Sequence, residues 1–198
     1  MGVEKRMADR CNTIRLYSFQ TDVVYQVLKR DGVCYSKEEY VRKKYKESAK
    51  VFINAYGWFV KEAQHIVPKP EGAEYPYWAF TDLYNVDQTG DGHVLTLDVP
   101  IGEAILFDMF DWTKIMQMHY IGENESEEAT FSEELKNMGM NEFQIMTSNF
   151  YPEQKARIQE SWKRLFGHQQ AIEAGDNSGV HSVQAGLWCI KHEWIVKE

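Results

Sequence analysis

The sequence predicts one α+β domain, with a mixed or antiparallel sheet and several helices, on three observations. At 198 residues the chain is long enough for one sizeable core and too short for two ordinary domains. Hydrophobic residues make up 43% and aromatic residues 14% against 26% charged, a balance that excludes disorder of the whole chain. Short β-rich runs and amphipathic helical runs then interleave along it, with no internal repeat.

Residues 1–12 read as a flexible N-terminal segment and 13–198 as the domain. The stretch Thr13–Gln20, TIRLYSFQ, alternates Ile14 and Leu16 with Arg15, Tyr17 and Phe19, as a strand does. Thr21 and Asp22 are suited to cap a helix, DVVYQVLKRDG, in which Val24, Val27 and Leu28 share a face and Gly32 supplies a left-handed stop. A short strand, VCY, follows. From Lys37 to about His65 the apolar positions Tyr45, Ala49, Phe52, Ile53, Tyr56 and Val60 keep a period near 3.6, which predicts one long amphipathic helix, kinked at Gly57. Pro68 and Pro70 end it.

Two strands, YWAFTDLY and HVLTLDV, are expected next, and AILF as a third. In DMFDWTKIMQMHYI, Asp111 is placed to cap a short helix with Trp112, Ile115, Met116 and Tyr120 on one face. Residues 121–134 form an acidic variable segment: six glutamates from Glu123 to Glu134 have no Lys or Arg between them, which favours a solvated or mobile stretch. Pro152 suits the first turn of a helix, EQKARIQESWKRLFG, striped by Ile158, Trp162, Leu165 and Phe166 and closed by Gly167. The last nineteen residues read as one long strand or two consecutive ones.

A net charge of −8 argues against a general nucleic-acid binder, whose affinity comes from Lys and Arg replacing counterions on phosphates. The one basic cluster, VRKKYK, is interleaved with Glu38, Glu39 and Glu47 and reads as a solvated helix face. No run of about 20 apolar residues spans a bilayer and no h-region opens the chain, so a cytoplasmic location is expected. Cys11, Cys34 and Cys189 are widely spaced and include no C-x-x-C, so they read as reduced thiols.

The stretch DQTGDGHVLTLD, Asp87–Asp98, resembles a calcium loop in its spacing. Strands flank it, its last position is Asp98 where a longer bidentate Glu belongs, and Pro100 follows, so the helix-loop-helix reading fails. Gly and Asp between two extended runs predict a β-hairpin turn, with a surface calcium site as the alternative. Phosphate-binding glycine loops, zinc-hydrolase histidine pairs and a nucleophile elbow are all missing from the sequence. Asp108 and Asp111, three residues apart at a strand-to-helix junction, either cap the helix or act together on a proton. Tyr17, Tyr77, Trp78, Trp188 and Trp194 are either core or platforms for a base or nicotinamide.

The landmarks RLYSFQT, YPYWAF, LTLDVPIGEAILFDMFDW, SWKRLF and VQAGLWCIKHEW together resemble an uncharacterised bacterial and phage family, domain of unknown function 3841, over roughly Thr13–Lys197. That resemblance implies no activity. The order of elements is also similar to that of small ADP-ribosyltransferase-like domains, where NAD sits in a cleft between two short sheets. This second likeness implies that Arg15 holds phosphate, Tyr77 or Trp78 stacks on nicotinamide, and Glu193 steadies the ribose. The cofactor-binding set is then Arg15, Tyr17, Gln20, Tyr77, Trp78, Gln184 and Trp188; the catalytic set is Glu193, Asp108 and Asp111; no metal ligand is assigned. The function expected is a nucleotide-sized pocket used for NAD-dependent ADP-ribosyl transfer or NAD cleavage. The alternative is a non-enzymatic protein, phage-encoded, that captures a nucleotide signal or blocks a host protein, in which case its acidic surface favours a basic partner.

Overall fold

The computed structural model describes residues 12–45 and 49–197, so the segment expected to be flexible lies almost wholly outside the described residues. The fold is α+β. Strands β1 (Thr13–Thr21), β3 (Tyr77–Phe80), β4 (Gly92–Pro100), β5 (Ala104–Asp108), β6 (Val183–Leu187) and β8 (Ile195–Lys197) form an antiparallel sheet in the order β5-β6-β3-β1-β4-β8. A second, two-stranded sheet pairs β2 (Val33–Tyr35) with β7 (Cys189–Lys191).

β1 pairs with β4 along its full length, from Thr13 opposite Pro100 to Thr21 opposite Gly92. β1 therefore separates β3 from β4, and the expected hairpin between these two strands is not formed. The 87–91 stretch instead belongs to a connection that passes from one side of β1 to the other. Its turn chemistry is local: Asp87 accepts from the Thr89 amide at 3.0 Å, and Gly90 adopts φ 110°. The twelfth position of the calcium-like stretch, Asp98, lies inside β4 and is bonded to Arg15.

Cross-strand partners share a face of the sheet, so the registers assign both faces. One face carries Leu16, Ala79, Leu95, Leu97, Leu106 and Ala185, packed with Tyr25 and Leu28 of α1 (Asp22–Asp31) and with Cys34 and Ile190 of the small sheet. Gly32 ends α1 at φ 77°, its amide bonded to Leu28 O, as the sequence predicts. The space between the two sheets is hydrophobic core, crossed by the Tyr77 hydroxyl, which donates to Cys34 Sγ at 3.1 Å.

On the opposite face, Ile105, Phe107 and Trp78 lie beneath α3 (Ala49–Ala63), α4 (Met109–Met116) and a 3-10 segment, Trp162–His168. Phe59 is the hub of this layer, with its ring against Trp78, Phe107, Trp112 and Phe166. The long helix expected from Lys37 to His65 is described as α2 (Glu38–Tyr45) and α3, with residues 46–48 between them outside the described residues. Gly57 lies within α3 without ending it.

The acidic stretch is α5 (Glu125–Asn137), and its order has a visible cause. Asn124 caps it by accepting from the Glu127 amide, three glutamates stand in its first turn where the helix dipole favours them, and Phe131 and Leu135 are buried. Lys114 pairs with Glu128 at 2.6 Å, and Arg157 and Arg164 pair with Glu134 and Glu127. α6 (Glu142–Thr147), which the sequence reading missed, carries a complete capping box on Asn141 and Gln144. α7 (Pro152–Ser161) starts at Pro152 as expected, yet it stops at Ser161 and continues as the 3-10 segment and α8 (Gln169–Glu173). The C-terminal run is three strands, β6, β7 and β8, with a 3-10 turn at His192–Trp194.

Gly186 on β6 lies directly under the Phe59 ring, where an added Cβ would come within 2.8 Å of Cζ. Gly186→Ala should cost about 1–3 kcal/mol by overpacking, a fall of several degrees in Tm for a chain of this size. Combining it with Phe59→Leu should cost less than the two losses added together, because the shorter side chain removes the clash. A chemical-denaturation double-mutant cycle that returns strict additivity would contradict this packing.

Candidate functional site

Among the described residues, helices cover this face of the sheet over β5, β6 and β3 and leave the half formed by β1, β4 and β8 open. There β1 presents Arg15, Tyr17 and Phe19, β4 presents Val94, Thr96 and Asp98, and β8 presents Val196. Arg15 and Val196 are exposed and the others partly buried. A cleft of about 790 Å³ lies on this surface, lined by Arg15, Tyr17, Leu83, Val94, Thr96 and Val196 among others. A close approach of strands shapes its floor: a Cβ at Gly92 would come within 2.4 Å of Gln20 O and 2.8 Å of Phe19 Cζ.

Arg15 and Asp98 face each other across β1 and β4. Nε and Nη2 of Arg15 donate to the two carboxylate oxygens at 2.5 and 3.1 Å. This side-on grip uses one edge of the guanidinium and leaves its Nη1 donors directed away from Asp98. At one end of the cleft His93 Nε2 lies 2.7 Å from Asp22, with its ring against Tyr25.

The sequence candidates divide by environment. Arg15 and Tyr17 line the cleft together. Trp78 and Phe80 project from β3 on the same sheet face, since Phe80 stands opposite Tyr17, and both are partly buried. The Trp78 ring packs against Tyr56, Phe59 and Trp112, and its indole N–H donates to the Tyr56 hydroxyl at 2.9 Å. Tyr77 and Trp188 are core residues: burial and the Cys34 thiol push the Tyr77 hydroxyl up, and the Trp188 indole donates to Val67 O at 2.7 Å. Gln20 is buried and donates to Ser18, and Gln184 is buried opposite Phe80 and Phe107. Glu193 is exposed on the 3-10 turn before β8, outside the residues that line the cleft. Cys34 and Cys189 are buried free thiols, and burial pushes Cys189 up to about 11.

Asp108 and Asp111 have separate roles. Asp108, not Asp111, is the N-cap of α4, accepting from the Phe110 amide at 3.0 Å. It is 3% exposed and also accepts from the amides of His181 and Ser182. Its partner is His181, whose Nδ1 lies 2.8 Å from Oδ2. Burial acts to raise the Asp108 carboxyl, but the three amides and the imidazole outweigh it and hold the group below the ordinary carboxylate range. Ser182 in turn accepts from Asn85 Nδ2 at 2.7 Å, in the 3-10 turn Leu83–Asn85 whose Leu83 borders the cleft. His181, Ser182 and Asn85 escaped the sequence reading because no spacing relates them to Asp108. Asp111 is raised by burial, opposed by Lys114.

No helix among the described residues is long and apolar enough to cross a membrane. Residues 15–196 match the model of a family described as Domain of unknown function (DUF3841). No curated protein and no solved structure matches the chain.

The two carboxylates should titrate with opposite effects on stability. Asp108 is depressed on folding, so its contribution is present above about pH 3.9, the ordinary aspartate value, and is lost as pH falls through its folded value. Asp108→Ala should therefore lower stability at pH 7 by about 1–3 kcal/mol, because it strands buried amides. Asp111 is raised on folding, so its ionisation opposes folding above its folded value. Asp111→Asn should raise Tm at pH 7, and the gain should fade below about pH 3.9, where both states are protonated. Thermal melts of both variants across pH 3–8 check each sign.

Proposed function

Because the chain belongs to the DUF3841 family, whose description carries no activity, we propose from its own geometry that it is a binding protein that captures a nucleotide-sized ligand on the open half of its sheet. The observation that carries this reading is the cleft, with an Arg15 fork already held in place by Asp98 beside the Tyr17 ring. A guanidinium gripped along one edge loses little freedom when its other edge takes an oxyanion, and a partly exposed aromatic ring offers a face for a base. The cleft's volume falls within the ordinary span of small-molecule sites, roughly 300–1,000 Å³. Among the described residues that line the cleft Arg15 is the one Lys or Arg, which suits one small anionic ligand better than a polyanion.

Capture is favoured over ADP-ribosyl transfer by where the carboxylates stand. Transfer requires an acidic side chain beside the developing ribosyl cation. Glu193 stands outside the cleft lining, and Asp98 is committed to Arg15. A basic protein partner is less favoured, since Glu127, Glu128 and Glu134 of the acidic helix are already paired within the chain.

The test is a thermal-unfolding screen against NAD, ADP-ribose and cyclic nucleotides. A binder at about 100 times its Kd should add about 2.7 kcal/mol, a rise on the order of 5–10 °C. Arg15→Ala and Tyr17→Ala should each abolish most of that rise while leaving the unliganded Tm nearly unchanged. The ligand should be recovered chemically intact, and detection of nicotinamide or an ADP-ribosylated product would replace capture with transfer. The absence of a shift with every compound would overturn the small-ligand reading.

A further inference from the structure

The Asp108–His181 pair has a chemical capacity that capping a helix does not require. Three backbone amides already satisfy Asp108, from Phe110, His181 and Ser182, and they hold a carboxylate in a site 3% exposed. An ionised acceptor at 2.8 Å fixes the His181 tautomer with its proton on Nδ1. The Nε2 lone pair then belongs to a ring whose side chain is 73% exposed. The imidazole is further fixed against the Phe110 ring, with centroids 4.8 Å apart. Phe110 is itself 51% exposed, so an apolar surface adjoins the basic nitrogen.

We propose that His181 is a proton-accepting catalytic residue toward esters with an aromatic or other apolar part, with Asp108 as its positioning residue. This inference does not depend on the cleft around Arg15. In the first step Nε2 takes a proton from water as the water oxygen bonds to the ester carbonyl carbon and the carbonyl π pair moves onto its oxygen, giving a tetrahedral oxyanion beside the imidazolium, whose Nδ1–H faces Asp108. In the second step the oxyanion's pair re-forms the carbonyl as the carbon–oxygen bond to the leaving alcohol breaks, Nε2 returns the proton to the departing alkoxide oxygen, and neutral imidazole is regenerated. The acid and the alcohol are the only products, and water is the only co-reactant. Phe110 supplies the surface on which the apolar group rests.

The experiment uses the full chain with p-nitrophenyl acetate, following nitrophenolate release beside Tm. Removing a general base typically costs 10²–10⁴-fold, and the remaining histidines set a nucleophilic background, so His181→Gln should lower the rate about tenfold or more with Tm unchanged. Asp108→Asn keeps an acceptor oxygen for the Phe110 and Ser182 amides but turns an NH2 donor toward His181, which reverses the tautomer that leaves Nε2 free to accept, and should lower kcat with KM kept. If that variant does not fold, the His181→Gln comparison decides alone. Equal rates for the wild type and His181→Gln overturn the proposal, as does an acetyl group accumulating on His181, which would mark a nucleophile instead of a base.

Discussion

The nine-residue pairing of β1 with β4 is the constraint from which the rest of the sheet follows. It places the first strand of the domain in the middle of the sheet, with β3 on one side and β4 on the other. Consecutive strands β3 and β4 can then no longer be neighbours, and the chain after β4 crosses to the far edge to form β5 beside β6. The same register sets Arg15 opposite Asp98 and Tyr17 opposite both Thr96 and Phe80. The cleft is thus a product of strand order before it is a product of side-chain choice.

Cover on the outer face is unequal. Phe59, Trp112 and Trp162 supply large rings above β5, β6 and β3, and Gly186 removes the side chain that would keep Phe59 away. Close packing of this kind has little tolerance for added volume. Over β1 and β4 the strands alternate buried residues inward with polar or partly exposed residues outward. One face of a single sheet therefore serves as core at one end and as a surface at the other.

Charge is handled in two ways. On the surface, Glu127, Glu128 and Glu134 of α5 are paired with Arg164, Lys114 and Arg157, and exposed pairs of this type contribute little to stability individually. Inside, Asp108 is enclosed by amides that keep it ionised, and the cap it provides starts α4 directly from β5. The order of α5 rests more on Phe131 and Leu135 in the core than on its ion pairs.

By itself the sequence determined the fold class, the strand character of Thr13–Gln20, the helix closed by Gly32, the start of a helix at Pro152 and the landmarks of the family, because each is local: a period, a cap or a spaced motif. The tertiary structure alone decided that β1 separates β3 from β4, since the same Gly and Asp composition serves a tight hairpin or a longer connection. It also decided that the partner of Asp108 is His181, 73 residues away, and not Asp111. Aromatic residues alike in sequence were likewise sorted by packing, with Tyr17 on the open face and Trp188 in the core. Non-local strand pairing has no period to read, so both the cleft and the His181 pair appear only once the sheet is assembled.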